Sequence, residues 1–436
     1  MKKIVTNIIF GLCISSLVYA VSPTSGGSIP DISTLSQNAN AYVATTQPIL
    51  DKNTQKSSEE NYLIQYYSVW NEQFPQFTLS QLNQWYDYFI KNPGVGENLS
   101  PVNASFFQNL KDQTDNGSFG RLMIPAIVTS TTNMRLAPTN VPNYSDANAT
   151  SFDTLQCTSI YYGTPLMIIG QTKDKSWYFV DSGMQAEGWI PSSDIAFVSK
   201  EQIKKLENTQ NYMVFRRDDV PMYNATGMVV AQGRIGMIMP LTKSKNNFEI
   251  IGYGKDVGTG MAQLLPLKVN REDGHTFPYE MTQANVANFI NLLLGKPYGW
   301  GGVFGYRDCS LTQKDLMTQF GIFLNRNSGN LLSCGQDISL ANLTNAQKLN
   351  VIAIEGVPFR TLLIMNGHVM LYIGMINGNP IMFHEYWEAH VITGTSKVEY
   401  EEKQSEITFV NLGVVDAQTQ TSTILTAINA MVILGN

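Results

Sequence analysis

The chain has 436 residues, long enough for about three domains on the usual prior, and its 43% hydrophobic and 15% charged composition is that of a globular protein. A formal charge of −6 excludes the basic footprint that nucleic acid, anionic polymers or anionic lipid surfaces require. No disordered or fibrous class fits that balance.

Residues 1–20 carry Lys2 and Lys3, an apolar run from Ile4 to Val18 and the small-residue end Val18-Tyr19-Ala20. This is the layout of a secretory signal peptide and implies an exported chain. Nothing downstream is long enough to span a bilayer; the apolar stretch Ile424 to Leu434 reads as a docked terminal helix in a tail at 415–436. Beyond the signal segment lie Cys157, Cys309 and Cys334, an odd number that leaves at least one thiol unbridged.

Residues 21–45, rich in Ser, Thr, Asn and Gly, read as a flexible leader. From 46 to 122 apolar residues recur every three or four positions, at 62, 63, 66, 67 and 70 and again at 82, 85, 86, 89 and 90. That spacing predicts helices with one buried face, a packing unit rather than a catalytic one. Residues 123–199 (LMIPAIVT, TSIYYG, PLMIIGQT, SWYFVDS, GWIPSSDIAFV) and 200–269 (YMVFRRD, VPMYNAT, GMVVAQG, RIGMIMPL, NFEIIGYG) are two successive sets of short strand-like runs. Each predicts a small β-barrel. Residues 276–414 mix helix and strand: TQANVANFINLLLG and Ser310 to Phe320 read as helices, and HVMLYIGMI, PIMFHEYW and EITFVNLG as strands. Helices followed by antiparallel strands make an α+β domain.

The chemistry concentrates in that last segment. Cys309, in GYRDCSLTQKDL, sits at the first turn of a predicted helix, where the helix N-terminus favours the thiolate. A cysteine nucleophile needs a base, and the chain holds only His275, His368, His384 and His390. His368 and His384 fall on consecutive strands, and the order cysteine, histidine, polar residue is that of a papain-like site. A two-residue Asn377-Gly378 turn would put the two histidines on opposite faces, so for both to serve one site a longer loop or a bulge must shift the register by an odd number, which Gly374, Gly378 and Asn379 make cheap. Glu385 and His390 are alternative orienting residues. A zinc site is disfavoured, because spacings of 59 and 16 residues between Cys309, His368 and His384 match no closed structural set; no metal or other cofactor is expected.

GKPYGWGG-VFGYRDCS, FGIFLNRNSG, GVPFRTLLIMNGHVMLYIG and GNPIMFHEYW, in that order, resemble NlpC-type cell-wall cysteine peptidases. More narrowly they are similar to γ-D-glutamyl-diamino acid endopeptidases that carry bacterial SH3-like domains ahead of the catalytic domain. TNMRLAPT, SFDTLQCTSI and SWYFVDS extend the resemblance into the first barrel, and the helical segment resembles the family's N-terminal clip. The resemblance implies a papain-like α+β catalytic domain behind two SH3-like barrels and a helical segment. It implies Cys309 as nucleophile, His368 as base, His384 as the residue orienting it and Tyr298 as donor to the oxyanion. It also implies Asp308, Ser310 and Ser328 on the substrate side, the first two holding a free L-Ala amino group. The partner would be peptidoglycan stem peptides, cut between γ-D-Glu and a diamino acid, meso-diaminopimelate by default. Two departures stand out: Leu311 follows Cys309-Ser310 where relatives have glycine, and no tyrosine precedes Gly188-Trp189 in the first barrel. The barrel residues lining the pocket are therefore left unassigned. A wall-binding protein without catalysis, or a related Cys/His amidase or acyltransferase, would use the same architecture.

Overall fold

The computed structural model describes residues 30–435 apart from 185, 388, 394–395, 401–403, 411–412 and 415–421. The expected signal segment lies outside the described residues. The expected flexible leader is, from residue 31 on, pinned instead. A short helix at Pro30–Thr34 lies along the edge strand Gln404–Phe409, and a 3-10 turn at Ala39–Tyr42 packs on the helix Gln283–Leu293, where Ala39 N–H donates to Asn291 Oδ1 at 2.7 Å. The Asp31 carboxylate accepts the Phe409 N–H at 2.9 Å, and the Gln37 amide exchanges two hydrogen bonds with Ile407, at 2.9 and 3.0 Å. Polar composition suggested mobility, but here polar side chains complete a ladder that would otherwise leave an edge open.

The helical segment forms Lys52–Tyr67, Leu79–Lys91 and Ala104–Gln113. Asp51, Thr78 and Asn103 cap their N-termini, Thr78 with Gln81 as a reciprocal capping box. Their apolar faces do not close on themselves: Tyr62, Tyr66, Leu82, Tyr86, Phe89 and Phe107 join one core with residues of both barrels. The Trp70 indole donates to the Ala126 carbonyl at 3.0 Å and the Tyr66 hydroxyl to the Gly163 carbonyl at 3.0 Å, so the clip is stitched to the first barrel through buried polar contacts.

Each β module is a seven-stranded antiparallel sheet, the first spanning Ile124 to Phe197 and the second Tyr212 to Phe277. The strands Thr132–Arg135, Ala262–Asn270 and Gly274–Phe277 complete these sheets beyond the runs listed from alternation. The third unit is a six-stranded antiparallel sheet in the order Gly335–Ser339, Ala430–Leu434, Thr361–Met365, His368–Ile376, Asn379–Tyr386, Gln404–Phe409. Helices Gln283–Leu293 and Cys309–Thr318 share a core with Leu362, Leu371, Phe383 and Ile407, while Asn345–Glu355 packs with Leu363, Met370 and Met382.

Two features of this sheet differ from, or resolve, the sequence reading. The apolar tail is not a docked helix. After one turn at Ile424–Ala427 it becomes the strand Ala430–Leu434, second in the sheet and bonded on both sides. Its alternating Met431 and Val432 feed opposite cores, which a strand permits and a surface helix does not. The register between His368–Ile376 and Asn379–Tyr386 slips by one residue between Tyr372 and Gly374. Leu371 then faces Phe383, so His384 falls opposite Met370 and on the same side as His368. Gly374 has φ +152°, a conformation side chains rarely adopt, and this glycine lets the shift occur there.

Candidate active site

Cys309 is the first residue of the helix Cys309–Thr318, 8% exposed, and packs in the cluster containing Val369 and Phe383, the immediate chain neighbours of His368 and His384. Asp308 is the N-cap and accepts the Leu311 N–H at 2.9 Å. The thiol therefore sits at a capped helix N-terminus, where the backbone dipole favours negative charge.

The Asp308 carboxylate does more than cap. Its Oδ1 also accepts from the Ser310 hydroxyl at 3.2 Å and from Arg326 Nη1 at 3.2 Å, and its Oδ2 accepts from Gly301 N–H at 3.1 Å and Arg326 Nη2 at 2.5 Å. Arg326 reaches on to Ser310 Oγ at 2.7 Å and, in the first barrel, to Thr158 Oγ1 at 2.6 Å. Five donors saturate a carboxylate that offers about four lone-pair sites. The two residues implied to receive a substrate ammonium are thus committed to a buried guanidinium. Arg326 escaped the sequence reading, although a charged residue just after the apolar run FGIFL was the available signal. Ser328 opens the 3-10 turn Ser328–Cys334 two residues beyond it and is half-buried.

The structure brings His368 and His384 together: Nε2 of the first lies 2.9 Å from Nδ1 of the second, the rings meeting edge to face. His384 Nε2 lies 2.9 Å from the Thr408 hydroxyl, and its ring stacks on Tyr386, whose hydroxyl donates to the Glu406 carboxylate. Burial pushes His368 down to about 4; burial and then the neighbouring imidazole push His384 further down. Both rings are neutral at neutral pH, the form in which an imidazole accepts a proton.

Tyr298 pairs as a β-bridge with Arg307, and Gly299 N–H bonds the Arg307 carbonyl at 2.8 Å, so the segment approaching Cys309 is laid against the residues just before it. Burial, then the nearby Cys309 and Asp308, push the Tyr298 phenol well above its ordinary value, keeping it a donor. Its ring meets Trp387, which meets Phe152 of the first barrel, which meets Trp300. An aromatic chain thus runs from beside the nucleophile to the first barrel.

Of the alternative orienting residues, the side chain of His390 lies outside the described residues. Glu385 follows His384 and points to the other side of its strand. It is 1% exposed, its Oε1 has no hydrogen-bond partner among the described residues, and burial pushes it up to about 9. A raised folded value means the cost of Glu385 is absent below about 4.5 and grows as pH rises toward about 9, by up to about 1.4 kcal/mol per pH unit. Glu385→Gln is therefore expected to raise the thermal midpoint more at about pH 8 than at about pH 4. A gain independent of pH in paired melting curves would mean that Glu385 is ionised in the fold.

Among the described residues no group of three or more His, Cys, Asp or Glu side chains is arranged to hold a metal, and no helix is long and apolar enough to cross a membrane. Cys157 and Cys334 are unbridged and half-buried.

Four family models match the chain. They are the NLPC_P60 stabilising domain, N-terminal, over residues 3–119; an SH3 domain of SH3b1 type over 142–191; an SH3 domain of SH3b2 type over 199–245; and the NlpC/P60 family over 295–408. The solved structure of an NlpC/P60 endopeptidase from Photobacterium damselae subsp. piscicida is similar over 92% of this chain and 98% of that one, at 24% identity and a TM-score of 0.79. An NlpC/P60 family protein from Bacillus cereus ATCC 10987 matches over 72% of this chain and 100% of its own, at 15% identity and a TM-score of 0.48. No curated protein matches the chain.

Proposed function

We propose, from the premise that this chain belongs to the NlpC/P60 family of peptidases, that it is a cysteine endopeptidase cutting the γ-D-Glu–diamino acid bond of peptidoglycan stem peptides. The observation that carries the reading is the neutral pair of half-buried His368 and buried His384 beside a helix that begins on Cys309. The Cys309 sulfur gives up its proton to His368 and attacks the γ-carbonyl carbon. The tetrahedral oxyanion takes a hydrogen bond from the Tyr298 phenol. As the carbon–nitrogen bond breaks, His368 returns the proton to the leaving α-amine of the diamino acid, leaving a thioester on Cys309. Water, deprotonated by His368, then hydrolyses the thioester and frees the thiol.

The free L-Ala amine of the substrate is read at the Asp308–Ser310 end of the site, with Ser328 on the same side. Because Arg326 already neutralises Asp308, an entering ammonium must take over one of the arginine's hydrogen bonds. The reading requires no metal or cofactor. The signal-peptide layout at 1–20 supports a reaction outside the cytoplasm, in periplasm, cell wall or medium, and the SH3-type modules support wall fragments as partners.

The test is incubation with L-Ala-γ-D-Glu-diaminopimelate and with its N-acetylated form, followed by mass spectrometry. Release of L-Ala-γ-D-Glu from the free peptide alone is expected. Equal cleavage of both removes the amine recognition, and cleavage of neither removes the peptidase assignment in favour of wall binding.

A further inference from the structure

His384 is the residue whose surroundings constrain the chemistry most. Both of its ring nitrogens are engaged, Nδ1 with His368 Nε2 and Nε2 with Thr408 Oγ1, each at 2.9 Å. The reading above uses His368 as base, and with its Nε2 occupied only its Nδ1 is left to receive the thiol proton. A neutral imidazole carries one N–H. For His368 Nδ1 to accept, its hydrogen must sit on Nε2 and be donated to His384 Nδ1. That nitrogen must then be bare, so the hydrogen of His384 is on Nε2, where the acceptor is the Thr408 hydroxyl. The three side chains form one directed chain of hydrogen bonds, and Thr408 is its far end.

Among the described residues, the Thr408 hydroxyl is the hydrogen-bond partner of His384 Nε2. Thr408 is 0% exposed and His384 1% exposed, so bulk water does not substitute. Thr408 lies on the edge-side strand Gln404–Phe409, opposite Met382 and on the same face as His384, because Phe383 pairs with Ile407. If the hydroxyl were absent, a buried N–H would be left unsatisfied at Nε2, and His384 would lose the partner that selects its tautomer. The alternative tautomer, with hydrogen on Nδ1, faces the Nε2–H of His368 donor to donor and turns the base away from its working form.

We propose that Thr408 is a positioning residue for the reaction, fixing the tautomer of His384 and through it the proton-accepting nitrogen of His368. This rests on the peptidase reading, so the experiment separates the two. Thr408→Val keeps the shape and removes the acceptor; Thr408→Ser keeps the acceptor and removes the methyl group. With free tripeptide as substrate, Thr408→Val is expected to lower kcat about ten- to a hundredfold, the range seen when an outer hydrogen-bond partner of a functional histidine is removed, with KM unchanged. Thr408→Ser is expected to restore most of kcat. In proteins labelled with 15N-histidine, the wild type should show the His384 hydrogen on Nε2, and Thr408→Val should lose or mix that signature. Wild-type kcat in Thr408→Val overturns the proposal, as does a wild-type spectrum with the hydrogen on Nδ1. Equal losses in the valine and serine variants, tracking lowered thermal midpoints, would assign Thr408 to packing and overturn it too. If the wild type cleaves no peptide, the peptidase reading fails while the spectra still decide the hydrogen-bond direction.

Discussion

Replacing Cys309 with alanine is expected to abolish peptide hydrolysis, by at least about ten-thousandfold as in other catalytic constellations that lose their nucleophile, while the protein stays folded. The fold should survive because the change deletes one sulfur from the first turn of a helix. Alanine is the best helix former, and the cap from Asp308 to Leu311 N–H is untouched. Neither of the other two thiols among the described residues takes over. Burial pushes Cys157 up to about 12 and also pushes Cys334 up, so neither supplies thiolate at neutral pH. Circular dichroism and a melting curve would establish folding, and the free-peptide assay would establish activity. Residual turnover above a hundredth of wild type in a folded variant would place the nucleophile elsewhere.

Arg307→Met is expected to be the most destabilising single substitution near the site. Arg307 is 4% exposed, and its guanidinium is gripped from two domains. Nη1 and Nη2 each donate to Asp218 of the second barrel at 2.7 Å, Nε donates to Asp315 at 2.7 Å, and Nη2 also reaches the Ile235 carbonyl at 3.0 Å. Asp315, 0% exposed, also accepts the Tyr161 hydroxyl of the first barrel at 2.7 Å. Burial alone would push Asp218 up, but its hydrogen bonds and charge contact with Arg307 outweigh that and hold it below its ordinary value. Methionine fills much of the volume but takes the guanidinium away from buried Asp315 and half-buried Asp218, leaving only the longer contacts to Lys314 at 3.7 Å and Arg234 at 3.9 Å. Breaking a buried pair in this way costs about 3–5 kcal/mol. Chemical denaturation should show that loss, and adding Asp218→Asn should recover part of it. A loss below about 1 kcal/mol would mean that water enters and solvates the carboxylates.

The site was legible where chemistry leaves a local mark. Cys309 before a helix, two histidines on neighbouring strands, and the demand for a register shift near Gly374 all follow from residue type, spacing and parity, and the shift is present where glycine makes it cheap. The order of helices and strands was legible for the same reason. What could not be read were relations between segments far apart in sequence. Arg326 with Asp308, Arg307 with Asp218, and His384 with Thr408 each join residues whose proximity depends on how the sheets stack. The leader misled because polar composition does not distinguish a mobile segment from one whose amides finish an edge strand. The tail misled because the apolar stretch Ile424 to Leu434 joins one helical turn to a five-residue strand, and apolar runs that short give periodicity nothing to separate strand from helix.

The strand Ala430–Leu434, second in the catalytic sheet, has a consequence for the order in which the enzyme comes into being. Its hydrogen bonds run to Gly335–Ser339 on one side and to Thr361–Met365 on the other, and Thr361–Met365 in turn carries the His368 strand. A ribosome has made the nucleophile, both histidines and Thr408 before it makes residue 430, yet the sheet that spaces them lacks an interior member until then. Synthesis runs from the N-terminus, so the clip and barrels can fold while the catalytic sheet waits. A strand made after both histidines therefore decides when the candidate site can first assemble.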